Sequence, residues 1–122
     1  MAEETSPHPL ITASRVKDAP VYNKAGDRIG HIEDLSIDKL SGQVVYALMS
    51  FGGFLGIGEK FHPLPWNVLD YEKEQDGYVV PLTKAELEGA PSYTADELEQ
   101  FGAGERDLLY QYYGPYGAVP YV

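Results

Sequence analysis

Residues 51–66 read Phe-Gly-Gly-Phe-Leu-Gly-Ile-Gly-Glu-Lys-Phe-His-Pro-Leu-Pro-Trp, and this stretch decides the fold. Four glycines within the seven residues 52–58 favour backbone conformations that other residues seldom adopt, so a defined turn is predicted there. A short strand from Lys60 to Trp66 is predicted to follow. Because Pro63 and Pro65 cannot donate backbone hydrogen bonds, we expect this strand at the edge of a sheet or at a bulge.

The two segments before this stretch predict longer strands. In residues 28–38 the apolar positions change parity between Ile32 and Leu35, and a β-bulge would return both side chains to the core side of a sheet. Residues 44–49 carry only apolar or aromatic side chains, unlike the alternating pattern of a half-exposed strand. Both faces of this second strand therefore need to be covered by other parts of the protein or by a partner.

Turn signals divide the first two thirds of the chain into short hairpins. Polar or glycine-containing turns are predicted at residues 23–27, 39–42 and 75–77. The last of these joins residues 71–74 to residues 78–82. The resulting fold class is mainly β, with five to seven short antiparallel strands.

The last third of the chain differs in composition. Thr83-Lys-Ala-Glu86 and Thr94-Ala-Asp-Glu97 fit the capping box, in which a Thr hydroxyl and a Glu carboxylate reciprocally satisfy backbone amides at a helix start. Two short helices are predicted from these residues, and Gly102 is expected to stop or fray the second. Residues 110–122 hold five of the ten tyrosines without a helical or strand period, which predicts an irregular Tyr-rich tail that is disordered or docks.

The net charge limits the classes of partner. The chain has 19 acidic and 9 basic side chains, a formal charge of −10, which repels phosphate backbones and anionic lipid headgroups. Direct nucleic-acid binding and membrane insertion are therefore not expected. The sequence contains no cysteine and its first residues lack a signal-peptide pattern, so we expect a cytoplasmic protein.

No catalytic motif is complete in the sequence. Residues 53–60 superficially resemble a phosphate-binding loop, but Glu59 stands where the motif has Lys, and Lys60 stands where it has a hydroxyl. We interpret this segment as a turn. Neither a Gly-x-Ser-x-Gly elbow nor a cysteine nucleophile is present. The sequence predicts no enzyme activity, no catalytic residue and no cofactor.

Metal binding has weak support in the sequence. The chain has three histidines, and three acidic residues cluster in the predicted hairpin. These residues are His8, His31, His62, Glu33, Asp34 and Asp38. The histidines lack the close spacing of a known metal motif, and adjacent strand residues face opposite ways, so Glu33 and Asp34 are not expected to share a cation. The favoured interpretation is structural histidines, a solvated acidic edge and no metal site.

Four segments together resemble the PRC-barrel family. They are residues 26–38, 42–48, 52–60 and 63–66, and the resemblance extends over about residues 10–83. It implies a small antiparallel PRC-type β-barrel over residues 8–83. Residues 84–122 would then form an acidic region of short helices and a Tyr/Gly/Pro-rich tail. The family includes the cytoplasmic domain of the photosynthetic reaction-centre H subunit and the C-terminal domain of the ribosome maturation factor RimM. It carries no consensus catalytic residues, and its barrel acts mainly by contacting protein partners.

The function expected from these observations is a non-enzymatic protein-interaction module that forms a homodimer and docks to a larger assembly. Its contact would use either the strand that is apolar on both faces or the apolar side chains of the glycine turn. The partner-binding candidates are Phe54, Leu55, Ile57, Tyr46 and Leu48.

Two other functions stay open. A small-ligand or metal-binding protein would use the acidic hairpin or His62. An RNA-maturation accessory role follows only by analogy with RimM, and the net charge predicts that it would act through protein contacts.

Overall fold

A six-stranded mixed sheet forms the centre of the chain. The computed structural model describes residues 10–51 and 60–118, so the predicted glycine turn lies outside the described residues, as does His8. The strands are β1 (Pro20–Tyr22), β2 (Arg28–Ile37), β3 (Val44–Phe51), β4 (Phe61–Pro65), β5 (Asp70–Glu72) and β6 (Gly77–Val79). The helices are α1 (Ala13–Val16), α2 (Lys84–Glu88), α3 (Ala95–Glu99) and α4 (Ala103–Tyr113), with 3-10 turns at Trp66–Val68 and Gly114–Tyr116.

The strand order in the sheet is β4-β3-β2-β1-β6-β5. Every neighbouring pair is antiparallel except β1 and β6, which run parallel. Within the described residues no ladder joins the two edge strands β4 and β5, and the parallel β1–β6 pair corrects the predicted antiparallel barrel to a mixed sheet. The parallel pair arises because the β5–β6 hairpin returns to the start of the chain, and local turn signals do not encode that distant pairing.

The bulge predicted in β2 is confirmed. The ladder pairs Ile32 with Met49 and then, after skipping Glu33, continues so that Leu35 lies opposite Ala47. Because Ala47 and Met49 are two residues apart on β3, they share a face of the sheet, and the bulge brings Ile32 and Leu35 to that same face. Ile32 is fully buried, and Leu35 packs against the core while partly exposed.

The predicted turns and the predicted edge strand are also confirmed. The β1–β2 and β2–β3 connections carry Gly26 at φ 92° and Gly42 at φ 77°, in the left-handed region that favours glycine. Strand β4, with its two prolines, lies at one end of the strand order. Its outer edge makes one isolated bridge, in which Phe61 exchanges backbone hydrogen bonds with Tyr93.

Both predicted capping boxes are present. At the start of α2, the Glu86 amide donates to Thr83 Oγ1 over 3.1 Å, and the Thr83 amide donates to Glu86 Oε1 over 2.8 Å. Thr94 and Glu97 repeat this arrangement at the start of α3, with distances of 3.2 Å and 2.8 Å. These reciprocal bonds satisfy amides that have no partner inside the helix, which explains why such short helices form here.

The predicted irregular tail is wrong over residues 110–116. Helix α4 continues to Tyr113 and a 3-10 turn follows at Gly114–Tyr116. Gly102 precedes α4 as its N-cap, and its amide donates to Glu105 Oε1 over 2.8 Å. Leu109 and Tyr113, one helical turn apart, are both fully buried. Tyr113 thus serves as a core side chain on the inner face of α4, and its burial together with Leu109 stabilises the helix.

The N-terminal segment contains a further difference. Residues 13–16 form the single-turn helix α1, where short strands were expected. Val16 anchors this turn in the core. Among the described residues, the longest helix is the 11-residue α4, and none has the length and hydrophobicity needed to cross a bilayer.

Candidate functional site

The second face of β3 is covered by the C-terminal segment of the same chain. The Tyr46 ring is 4% exposed and packs on Phe101, with ring centroids 5.5 Å apart, and on Tyr110 at 6.3 Å. Burial, assisted by the neighbouring Tyr110 hydroxyl, raises the pKa of Tyr46 well above its ordinary value, so this phenol stays neutral. The prediction that both faces of this strand need cover is confirmed.

The cover is incomplete, and an apolar groove of about 190 Å³ remains between the sheet and the α3–α4 connection. We call it the apolar groove. It is lined on the sheet side by Leu35, Ser36, Tyr46, Leu48 and Pro63, and on the helical side by Leu98, Glu99 and Phe101. Most of the apolar members are only partly buried, so they present hydrocarbon to whatever enters the groove.

Two of the five predicted partner-binding residues line this groove. Tyr46 forms part of its buried wall, and Leu48 is half-buried beside it. Phe54, Leu55 and Ile57 lie outside the described residues. Partner binding by any of the five stays a prediction. The helical wall of the groove was missed from the sequence, because the short helix that carries Leu98 was predicted but its packing against the sheet was not.

The tip of the β2–β3 hairpin presents a second feature that the sequence analysis missed. Leu40 is 99% exposed there, and Ile37 is 50% exposed just before it. Asp38 Oδ1 accepts hydrogen bonds from the Leu40 amide at 2.8 Å and from the Ser41 amide at 3.0 Å. The signal in the sequence is a leucine inside a polar turn, where apolar side chains are uncommon.

The acidic residues of the hairpin do not act as one group. The Asp34 carboxylate accepts from the Leu35 amide over 2.8 Å, and the Asp38 carboxylate holds the turn. Glu33 instead meets His31, with Glu33 Oε2 and His31 Nε2 2.9 Å apart. The carboxylates of Asp34 and Asp38 therefore serve as hydrogen-bond acceptors for nearby backbone amides. This agrees with the prediction that Glu33 and Asp34 do not share a cation.

A different set of side chains has the arrangement of a metal site. Asp18, His31 and Glu33 each offer one ligand atom, and these atoms lie within 4.8 Å of one another. Asp18 comes from the loop after α1, and His31 and Glu33 lie two residues apart on β2. A histidine nitrogen with two carboxylate oxygens is a donor set that suits a divalent transition metal such as Zn²⁺. Asp18 was not recognised from the sequence as part of this set, because it lies 13 positions before His31.

His62 is a core residue of β4. Its side chain is almost fully buried, and it lies opposite Met49 in the ladder. Burial lowers the pKa of His62 below its ordinary value of 6.5, and a hydrogen bond to the Pro91 backbone opposes this shift. A neutral, buried imidazole bonded to the backbone fits the predicted structural role of this histidine.

A second, wider depression is lined by residues of the C-terminal segment. It has a volume of about 660 Å³. Its lining comprises Gly89, Pro91, Ser92, Tyr93, Leu108, Gln111 and Tyr112. Its lining combines apolar side chains with the polar Ser92 and Gln111. Because two of the predicted partner-binding residues, Tyr46 and Leu48, line the apolar groove, we take that groove as the candidate site.

Comparison with known proteins identifies the family. A comparison with curated proteins gave no match. The model of the PRC-barrel domain matches residues 8–87, which is more than half of the 122-residue chain. This match contains β1 to β6 and all of α2 except its last residue, so it includes the whole sheet side of the groove. The chain belongs to the PRC-barrel family.

Proposed function

We propose that this protein is a non-enzymatic protein-interaction module that binds partners through the apolar groove, associates with itself and docks to a larger assembly. The cysteine-free sequence fits a reducing compartment, and we propose that the protein works in the cytoplasm. The family supplies the sheet, whereas residues beyond the family match supply the helical wall.

The observation that carries this proposal is the composition of the groove. Leucine, proline, phenylalanine and tyrosine side chains make up most of its lining, and Glu99 is the one charged member among the described lining residues. When a partner removes partly buried apolar side chains of a concave surface from water, their burial makes the free energy of binding more favourable.

Site-specific photo-crosslinking in the native host tests the proposal. A photoreactive amino acid replaces Leu98 in the groove, and a matched variant carries it at Leu108 in the wider depression. We expect the Leu98 position to form a covalent adduct with a polypeptide and the Leu108 position to form little. No polypeptide adduct at Leu98, or an adduct at Leu108 alone, would contradict the proposal.

A second candidate function is divalent-cation binding by Asp18, His31 and Glu33. The observation that favours it is the convergence of three ligand atoms from two elements within 4.8 Å. Binding to the folded state alone raises the melting temperature. Added Zn²⁺ is expected to raise it for the native chain but not for His31→Ala, with His62→Asn as a control for loss of a histidine elsewhere. Equal responses of the native chain and His31→Ala would exclude this site.

A further inference from the structure

We infer that the occupant of the apolar groove is a second copy of this chain, which inserts Leu40 from the tip of its β2–β3 hairpin. This inference rests on the proposed function and names the partner for the same groove. Two complementary features support it on one molecule: an apolar side chain that projects fully into solvent, and an apolar groove that none of residues 10–51 and 60–118 of the same copy fills.

The hairpin tip is preorganised for insertion. The Asp38 carboxylate accepts the Leu40 and Ser41 amides, and Asp38 and Gly42 are joined by a backbone hydrogen bond of 2.8 Å from the Gly42 amide. Gly42 adopts the left-handed conformation that the turn requires. Because these bonds already fix the backbone, binding loses little conformational freedom at the tip, and Leu40 enters the groove as a fixed projection.

Charge complementarity supports this occupant. The charged residue next to Leu40 in the sequence is the exposed Lys39, and the charged residue in the groove lining is the exposed Glu99. When Leu40 of one copy enters the groove of the other, its Lys39 ammonium approaches the Glu99 carboxylate at the rim. The chain carries a formal charge of −10, so two copies repel each other in most orientations. A Lys39–Glu99 contact is attractive and favours this docking orientation over others.

The positions of the two features fit a symmetric dimer. The sheet wall of the groove includes Leu35 and Ser36 near the end of β2, and Leu40 follows the end of the same strand. The sheet wall of the groove and the projection therefore both lie at the C-terminal end of β2. A two-fold axis beside that end of the strand would bring each projection to the partner's groove, and the interface would then contain the insertion twice.

Sedimentation equilibrium of the purified full chain tests this inference. We expect a monomer–dimer equilibrium whose dissociation constant rises at least about tenfold in Leu40→Asp. Leu10→Asp is the matched control, because Leu10 is also highly exposed, at 83%, but lies far from the hairpin in sequence. Circular dichroism and thermal melting verify that each variant is folded.

A charge exchange provides a second test that does not depend on Leu40. Lys39→Glu and Glu99→Lys are each expected to weaken the dimer by about three- to tenfold, and the double variant is expected to restore it. A native chain that is monomeric at its highest soluble concentration would overturn the inference, as would a dimer insensitive to Leu40→Asp or a double variant without rescue. A Leu98 photo-adduct with a different protein would support the proposed function while overturning the second-copy assignment.

Discussion

Two adjacent leucines of α4 provide the sharpest test of how the C-terminal segment is attached. Leu109 is fully buried and Leu108 is 52% exposed. Leu109→Ala replaces a buried isobutyl group with a methyl group and leaves a cavity, which costs about 2–5 kcal/mol of unfolding free energy. Leu108→Ala removes a side chain that is half in water, so we expect a loss below about 1 kcal/mol. Both substitutions change helix propensity equally, so this contribution cancels in the comparison.

Urea unfolding followed by circular dichroism measures the difference. With a loss near 3 kcal/mol, Leu109→Ala is expected to melt roughly 9–15 °C below the native chain, because a domain of this size loses about 3–5 °C per kcal/mol. The denaturant slope should be unchanged if the folded and unfolded states keep their compactness. Free energies of Leu108→Ala and Leu109→Ala that agree within about 0.5 kcal/mol would refute the packing of α4 against the sheet.

The remaining predictions concern the same C-terminal segment. Hydrogen bonds from the Thr83 amide and the Tyr116 hydroxyl hold the pKa of Glu86 below its ordinary value of 4.5. The carboxylate therefore contributes stability that is present above about pH 4.5 and is lost as pH falls through the lower folded pKa, so Glu86→Gln should flatten the acid branch of a stability–pH profile measured by urea unfolding. A profile identical to that of the native chain would contradict this. The buried Tyr113 hydroxyl has no hydrogen-bond partner among the described residues. Tyr113→Phe is therefore expected to change unfolding free energy by less than about 0.5 kcal/mol or to raise it, whereas Tyr113→Ala should cost about 3–5 kcal/mol in the same urea assay.

Local signals account for the parts of the fold that the sequence predicted. The parity change between Ile32 and Leu35 located the bulge, because side chains alternate strictly along a strand and only an extra residue restores the face. The Thr83 and Thr94 capping boxes located two helices to within a residue, because each box satisfies backbone amides within four consecutive residues. These features depend on neighbours in sequence, so one sequence is enough to find them.

The missed features depend on distant contacts or on an atypical core residue. The parallel pairing of β1 with β6 joins Val21 to Tyr78, and no local pattern specifies that strand direction. Helix α4 was missed because Gly102 was interpreted as a stop signal, although it is the N-cap. The i, i+4 pair Leu109 and Tyr113 was the available signal, and it was hidden by the surrounding tyrosines and glycines.

Two of the eight residues that line the candidate site were singled out from the sequence. Tyr46 and Leu48 were identified because a strand with two apolar faces needs contacts on both, which is a property of the strand alone. Which surface meets the second face depends on the C-terminal segment, whose docked helix was not predicted. The metal-like set was missed for a related reason, since Asp18 reaches His31 and Glu33 only through the fold.

The two walls of the apolar groove have different origins, and this affects which partner the proposed interaction would accept. The sheet wall, with Tyr46 and Leu48, lies inside the family match to residues 8–87. The helical wall, with Leu98 and Phe101, lies beyond it. Without residues 88–118, the ring of Tyr46 would lose its contacts with Phe101 and Tyr110 and the apolar second face of β3 would be open to solvent. The C-terminal segment thus converts a broad apolar face into a narrow groove with one carboxylate at its rim, so the segment outside the family domain sets the shape and charge that a partner must match.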